Sequence, residues 1–180
     1  FFSQDGYKVI GVEPAKKIAN EAIKNGIPTI IEFFNQDLSK KILEEYGSAS
    51  IITANNVFAH IDNPIEVLEG VKKLIKKFNG IFVIEVSYLL DVIKNNLFDT
   101  IYHEHLDYHS IISLNEFFHN NGFEIINVEH VKTHGGSVRI FTQLIGGNFN
   151  VSKSVIDFIK KEKEFGLDKI DTYIDFSKKI

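Results

Sequence analysis

The fold is decided by residues 123–145, FEIINVEHVKTHGGSVRIFTQLI. Two runs rich in β-branched and aromatic residues, 123–131 and 136–145, follow each other with little between them, which predicts an antiparallel hairpin. Gly135 and Gly136 predict a tight turn at the connection, and close approach of the backbone to a ligand is the other interpretation of this pair. Any sheet predicted for the rest of the chain must accommodate this hairpin.

The segments that precede the hairpin alternate between short apolar runs and helical periodicity. Four apolar runs are predicted to be strands: 7–12, 28–34, 50–54 and 80–86. Between them, apolar residues recur at three- and four-residue spacing, which predicts helices. Continuous apolar strands are typical of a parallel sheet that helices cover on both faces. The predicted fold class is therefore α/β, a doubly wound, Rossmann-like sheet that is mostly parallel and ends in the antiparallel hairpin.

Several polar residues are predicted to start the helices. Asp37 is suited to cap a helix that follows the second strand. Asn63 before Pro64 gives the favoured order of a capping residue and a first helical proline. Ser113 and Glu116 have the spacing of a capping box. These signals support helices both between the strands and before the hairpin.

The composition excludes some classes of function. The 180 residues are 44% hydrophobic and 24% charged, and the net charge of −4 predicts neither a nucleic-acid nor a membrane partner. No apolar run approaches the roughly 20 residues of a membrane span. The chain has no cysteine, which excludes disulfides and thiolate metal sites within it. We expect a cytoplasmic protein, and the oligomeric state cannot be predicted.

Both ends of the chain look interrupted. There is no methionine, and the sequence opens on FFSQDGYKVIGVEP, which we interpret as a helix end that runs into a strand. We therefore expect a fragment of a longer protein. Residues 152–180 are charged and helical in pattern and are expected either to begin a second domain or to trail off.

Polar residues follow several of the predicted strands, where open parallel sheets bind their ligands. Glu13 ends the first strand, and its carboxylate is suited to accept hydrogen bonds from a ribose diol, although a solvated loop charge is the alternative. Asn55 and Asn56 end the third strand, where they would line a pocket or simply form a turn. His60 follows in the same loop, and a single histidine is more often structural than catalytic.

The segment FDTIYHEHLDYHS, residues 98–110, concentrates titratable side chains after the fourth strand. His103 and His105 alternate, so they would point the same way on an extended chain, and His109 would be a third ligand if the chain were helical there. Asp107 stands where the second histidine of the H-E-x-x-H metal motif belongs. A metal site is therefore an open but disfavoured interpretation.

Proton transfer is the stronger interpretation of the same segment. The imidazole of His105 can accept a proton near neutral pH. Glu104 is suited to orient an imidazole, and the hydroxyl of Tyr102 can donate to a developing oxyanion. A polar, aromatic loop packed over the sheet edge is the structural alternative.

Five motifs in this order and spacing resemble one family: GYKVIGVEP, ANNVFAHI, FDTIYHEHLDYHS, SLNEFFHNNGF and HGGSVR. They are similar to the S-adenosyl-L-methionine (SAM)-dependent sugar C-methyltransferases, which act on nucleotide-linked 4-keto-deoxysugars. The resemblance covers about residues 1–147 and implies a class I methyltransferase fold. It also implies a zinc-binding module before the SAM domain and a further α/β domain after it.

The resemblance implies that this chain holds only part of that architecture. Residues 1–147 would be the SAM-dependent methyltransferase domain, truncated at its N-terminus, without the first strand and the glycine-rich loop. Residues 148–180 would be the helical start of the C-terminal domain. Zinc would belong to an upstream module that this chain does not contain, so no metal is expected here.

The resemblance also implies roles for residues of the cofactor site. Glu13 would hold the SAM ribose. Phe33 and Phe34 would lie beside the adenine, and Asn55 and Asn56 would line the methionine end. The implied cofactor is therefore SAM, bound across the ends of the first three predicted strands.

The sugar would be surrounded by Tyr102, Glu104, His105 and His60. His105 or His60 would remove the proton next to the ketone, Tyr102 would stabilise the enolate oxygen, and Glu104 would orient the site. The carbon would then take the methyl group in line. The alternatives are O- or N-methylation of another small molecule, a catalytically silent SAM-fold binding module and, more distantly, a metal-dependent hydrolase.

Overall fold

The computed structural model describes residues 2–180, which form an α/β fold with a mixed sheet. The strands are β1 (Gly11–Val12), β2 (Thr29–Ile30), β3 (Ile51–Asn55), β4 (Ile81–Ser87), β5 (Phe123–Val131) and β6 (Ser137–Leu144). The helices are α1 (Lys16–Lys24), α2 (Gln36–Tyr46), α3 (Pro64–Leu74), α4 (Leu89–Lys94), α5 (Ile111–Asn120), α6 (Lys153–Phe165) and α7 (Ile170–Ser177). No helix among these residues is long and apolar enough to span a membrane.

The strands form two sheets. The larger sheet has the order β3-β4-β6-β5, in which β3 and β4 are parallel and β6 is antiparallel to both of its neighbours. The smaller sheet is the parallel pair of β1 and β2. The predicted alternation of strands and helices and the predicted hairpin are therefore confirmed, although β1 and β2 are much shorter than the apolar runs that predicted them.

The main core lies on one face of the larger sheet. Phe82, Ile84 and Val86 alternate along β4 and are almost fully buried, as expected when every second side chain of a strand faces the core. Helices α3, α5 and α6 supply the opposing apolar side chains, among them Leu68 and Phe118. This packing fixes the carboxyl end of β4, which leads through α4 into the histidine-rich segment.

A smaller cluster connects the two sheets. Leu38 and Ile42 of α2 pack with Leu74 of α3, and Val12 of β1 and Ile52 of β3 pack against them. The first strand pair is therefore held beside the larger sheet by the apolar face of α2.

Two of the predicted helix caps are wrong by a few residues. The capping residue of α2 is Asn35 and not Asp37, because Oδ1 of Asn35 accepts the backbone N–H of Leu38 at 2.8 Å. The capping residue of α5 is Ser110, whose hydroxyl accepts the N–H of Ser113 at 3.2 Å. Each helix starts earlier than predicted, so the predicted caps lie within its first turn. The predicted start of α3 at Asn63 and Pro64 is confirmed.

The glycine pair before β6 is required by close packing within the protein. Gly136 has a φ of 134°, and a Cβ atom there would collide with the carboxylate of Asp91 in α4. A Cβ atom on Gly135 would lie 2.8 Å from a methyl group of Leu97. Oδ2 of the same Asp91 accepts a hydrogen bond from Nε2 of His130 in β5 at 2.5 Å. The hairpin turn therefore packs tightly against α4 and against the start of the loop that follows α4.

The C-terminal helices extend the main core. Val155 of α6 and Leu167 after it are buried in the main cluster, and the hydroxyl of Ser154 accepts the N–H of Val128 in β5 at 2.9 Å. Residues 148–180 are largely helical, as their pattern predicted. Their assignment to a separate domain stays a prediction.

Candidate active site

The ends of β3 and β4 lie side by side, as they must in a parallel pair. Asn55 is in register with Glu85, and the N–H of Asn56 donates to the carbonyl oxygen of Glu85 at 2.8 Å. Asn56 has a φ of 54°, in the left-handed region that asparagine tolerates better than most residues. This turn redirects the chain into the short 3₁₀ helix Phe58–His60, so the tip of β3 delivers His60.

The loop after β4 is attached to this turn. The N–H of Leu106 donates to the carbonyl oxygen of Ala59 at 2.9 Å. Nδ1 of His60 lies 2.6 Å from the carbonyl oxygen of Glu104. Because a carbonyl oxygen only accepts hydrogen bonds, Nδ1 of His60 carries the proton, and Nε2 of the neutral ring keeps its lone pair.

His105 is held in the same tautomer by a second carbonyl. Its Nδ1 lies 2.9 Å from the carbonyl oxygen of Thr100, and its Nε2 lies 2.9 Å from the hydroxyl of Tyr102. Nδ1 must donate, so Nε2 accepts from Tyr102. The ring centroids of His105 and His60 are 4.9 Å apart. Tyr102, His105 and His60 are therefore brought together in one group, which we call the proton-transfer cluster.

Glu104 contributes to this cluster through its backbone only. Its carbonyl oxygen accepts from His60, whereas its carboxylate is largely exposed and lies 3.8 Å from Nε2 of His103. The imidazoles are thus oriented by two carbonyl groups and not by the carboxylate that the sequence suggested. The side chain of Glu104 remains available to a ligand on the open side of the loop.

The three histidines considered as metal ligands do not converge. The side chain of His103 is 90% exposed, whereas His109 is buried and His105 is bonded to Tyr102. Among residues 2–180, no three His, Asp or Glu side chains lie close enough together to hold a metal ion.

The predicted cofactor residues are partly accessible. Glu13 follows β1 and is partly exposed, with Oε1 accepting the N–H of Ala15 at 2.8 Å. Phe33 is 76% exposed, but Phe34 packs inward between the two apolar clusters. The binding of a nucleoside by Glu13, Phe33 and Asn55 stays a prediction. Phe34 is only partly buried, and its contact with the adenine also stays a prediction.

Tyr108 was not predicted to belong to the site. Its hydroxyl donates to the carbonyl oxygen of Thr100 at 3.1 Å, the same atom that His105 bonds. The rings of Tyr108 and His105 meet edge to face, with centroids 6.1 Å apart. Tyr108 could have been predicted as a site residue, because it lies within the histidine-rich motif. The carbonyl group of Thr100 could not, because a backbone group has no sequence pattern of its own.

His109 is a core residue. It is 8% exposed, its ring lies 5.7 Å from that of Phe58, and its Nε2 has no hydrogen-bond partner among residues 2–180. Burial lowers the pKa of His109 from 6.5 to about 4, and the charge of Asp107 opposes this shift only in part. His109 is therefore neutral in the folded protein and is separate from the proton-transfer cluster.

Apolar grooves flank the loop on both sides of Tyr108. One, of about 420 Å³, lies between α4, the loop and α7, and its walls include Val92, Ile101, Leu106 and Phe176. The other, of about 290 Å³, lies between the loop and α5 and is lined in part by Phe58 and Phe117. The loop thus presents apolar recesses beside its polar groups.

Two family models match the chain. Residues 1–128 match a methyltransferase domain, and residues 132–180 match a C-methyltransferase C-terminal domain. Over 176 residues the chain is 35% identical to C-methyltransferase NovU from Streptomyces niveus. The aligned region covers 98% of this chain and 42% of that protein. The chain therefore spans less than half the length of this curated relative.

Solved structures of methyltransferases have similar folds. A SAM-dependent methyltransferase from Anabaena variabilis superposes with a TM-score of 0.60 at 15% identity, covering 79% of this chain and 71% of that chain. The 1,6-didemethyltoxoflavin-N1-methyltransferase from Burkholderia thailandensis gives a TM-score of 0.56 at 17% identity, over 79% and 64%. At these identities the likeness establishes the fold alone, which is the class I fold predicted from the sequence.

Proposed function

Because the chain belongs to the methyltransferase domain family, we propose that it forms the catalytic part of a SAM-dependent C-methyltransferase. The observation that carries this proposal is the proton-transfer cluster, in which Tyr102 donates to Nε2 of His105 and His60 lies beside them. Methylation at carbon requires removal of a carbon-bound proton, and a phenol beside two imidazoles is suited to that step. The similarity to C-methyltransferase NovU supports the same acceptor atom.

We propose a nucleotide-linked 4-keto-deoxysugar as the substrate. The ketone is required because it makes the neighbouring C–H acidic enough for an imidazole to remove its proton. The motifs shared with the sugar C-methyltransferases support the sugar and its nucleotide. The proposed location is the cytoplasm, where SAM and activated sugars are made.

The residues at the strand ends are proposed to hold the cofactor. Glu13 would accept from the ribose hydroxyls, since Oε2 has no partner among the described residues. Phe33 would cover the adenine, and Asn55 and Asn56 would border the methionine part. When bound, SAM supplies an electrophilic methyl carbon, whose bond to sulfur breaks as the substrate carbon forms its new C–C bond.

His105 is proposed as the general base. Its Nδ1–H is fixed by Thr100, so that the lone pair of Nε2 faces Tyr102. When the substrate ketone takes the hydroxyl of Tyr102 as its donor, this lone pair is freed for the neighbouring C–H. The proton then passes to Nε2, and the electron pair of the C–H bond is shared with the ketone oxygen as an enolate. Tyr102 stabilises that oxygen.

His60 and Glu104 complete the proposed site. His60 has the same tautomer as His105 and an Nε2 without a donor among residues 2–180, which makes it the alternative base. The exposed carboxylate of Glu104 would accept from hydroxyl groups of the sugar and so orient the substrate.

Two measurements on the natural protein test this function. Titration calorimetry with SAM should give saturable binding, and absence of binding would refute the proposal. Incubation of the ketosugar in deuterated water should exchange the proton next to the ketone. Methyl transfer without exchange at that carbon would indicate O- or N-methylation instead, and binding without transfer to any tested acceptor would indicate a silent binding module.

A further inference from the structure

Glu162 is a buried carboxylate that the proposed reaction does not use. It lies in α6, has no exposed surface, and accepts the backbone N–H groups of Ile111 and Ile112 at 2.7 and 2.8 Å. These are the first two residues of α5, which begins where the histidine-rich loop ends. A residue about 50 positions downstream therefore holds the end of the segment that carries the proton-transfer cluster.

Burial of the Glu162 carboxylate costs free energy. Burial raises the pKa of Glu162, while the two backbone donors act in the opposite direction. A buried carboxylate is stable only where donors are fixed towards it. Ser110 already caps the N–H of Ser113 in the same turn, so Glu162 serves the two donors nearest the loop.

A short series of contacts leads from Glu162 to His105. The loop residue Tyr108 is three positions before Ile111, and its hydroxyl donates to the carbonyl oxygen of Thr100. That oxygen also accepts Nδ1 of His105. A shift of the start of α5 would move Tyr108, and with it the carbonyl group that selects the tautomer of His105.

We propose that Glu162 is a positioning residue for the general base and acts through Tyr108 on the carbonyl group that orients His105. This inference rests on the proposed function only for the role of His105 as a base. It assigns to the C-terminal helix α6 a part in the chemistry of a loop that belongs to the preceding methyltransferase domain.

Glu162→Gln in the natural protein is the first test, with Glu164→Gln as the matched control. Glu164 lies on the same helix and is exposed, and among residues 2–180 its carboxylate forms an ion pair only with Lys160, at 3.7 Å. A glutamine offers one acceptor oxygen to two N–H groups, so one contact is lost. We expect exchange of the substrate proton with deuterium to slow about tenfold in Glu162→Gln, since small displacements of a base are costly. The exchange rate of Glu164→Gln should stay within about twofold of that of the parent, because this substitution does not displace the base.

A double-mutant cycle separates positioning from general loss of stability. Tyr108→Phe removes only the hydroxyl and should also slow exchange. If both residues act through Thr100, the double variant should be no slower than the slower single variant. The exchange rates are measured at a temperature where every variant is folded. If the fold-reductions of the two single variants multiply in the double variant, the proposal is overturned. An exchange rate of Glu162→Gln equal to that of the parent would also overturn it.

Nitrogen-15 NMR of the His105 ring gives a readout that does not depend on turnover. The parent and Glu164→Gln should show His105 protonated at Nδ1, and Glu162→Gln should show a mixture of tautomers. An unchanged His105 signal in Glu162→Gln would overturn the proposal about Glu162, whether or not the parent exchanges the substrate proton. Absence of exchange in the parent would refute the proposed function instead. If Glu162→Gln does not fold, Glu162→Asp replaces it, and parental exchange and signal in that variant would count against the proposal.

Discussion

The phenol oxygen of Tyr102 lies 2.9 Å from Nε2 of His105. Because Nδ1 of the same ring donates to the carbonyl oxygen of Thr100, the direction of this hydrogen bond is fixed, with Tyr102 as donor and His105 as acceptor. The pair therefore places a donor for an oxyanion and an acceptor for a proton next to each other. In the proposed reaction, the substrate ketone would separate them by accepting from the hydroxyl of Tyr102.

Tyr102→Phe removes that donor and leaves the ring. We expect methyl transfer to fall about 100-fold, the usual effect of deleting one oxyanion donor. SAM affinity should not change, because Tyr102 is not among the proposed cofactor residues. Steady-state kinetics and calorimetry check the two expectations, with Tyr46→Phe at the end of α2 as a control. Full activity in Tyr102→Phe would remove the phenol from the mechanism.

Substitution of each imidazole identifies the base. His105→Asn should slow exchange of the substrate proton by roughly 1,000-fold, within the range for loss of a general base. The asparagine amide can still donate to Thr100, so the loop should keep its shape. His60→Asn should slow exchange by about tenfold, as expected for a residue that shapes the site without taking the proton. The reverse ranking would assign the base to His60.

The lowered pKa of His109 predicts how the stability of the protein depends on pH. Its pKa is about 4 in the folded protein and 6.5 without burial, so the unfolded chain binds the proton first as the pH falls. Stability from this residue is complete above pH 6.5 and is lost between pH 6.5 and about 4, at a limiting rate of about 1.4 kcal/mol per pH unit.

His109→Phe keeps an aromatic ring in this position and removes the titration. Urea unfolding from pH 7 to pH 4 should give a shallower decline in the free energy of unfolding for His109→Phe than for the parent. The largest difference in slope is expected midway between the two pKa values, at about pH 5. Parallel curves over the whole range would show that the burial of His109 does not govern its protonation.

Gly136→Ala tests the packing of the hairpin turn against α4. A Cβ atom would meet the carboxylate of Asp91 at a backbone conformation that alanine rarely adopts. Gly146→Ala is the matched control, because it also has a positive φ but nothing within 4 Å of the added carbon. We expect Gly136→Ala to lose about 1–3 kcal/mol more stability than the control. Equal losses in urea unfolding would contradict a steric requirement for Gly136.

Much of the fold was predictable because each element carries its own local pattern. The apolar run of β4 and the two runs around Gly136 identified the parallel strand and the hairpin. The helix starts were less certain, since Asn35 and Asp37, like Ser110 and Ser113, are both good caps, and only the path of the chain decides between them. The lengths of β1 and β2 depend on pairing that a single strand does not encode.

The site was predictable only in part. The group of Tyr102, His105 and His60 was expected from the family motifs, but its orientation by two backbone carbonyl groups was not. A backbone oxygen has no sequence signature. Phe34 was assigned to the cofactor together with Phe33, although adjacent residues of an extended chain point to opposite sides. That alternation was the signal that one of the two rings must face inward.

The most direct test of the central claim is methyl transfer from SAM labelled with carbon-13 in the methyl group. The natural protein, a nucleotide-linked 4-keto-deoxysugar and the labelled cofactor should give a product whose label is bonded to the ring carbon next to the ketone. This transfer should disappear in the double variant His60→Asn/His105→Asn. Label found on oxygen or nitrogen, or transfer to carbon that persists without both imidazoles, would contradict the account.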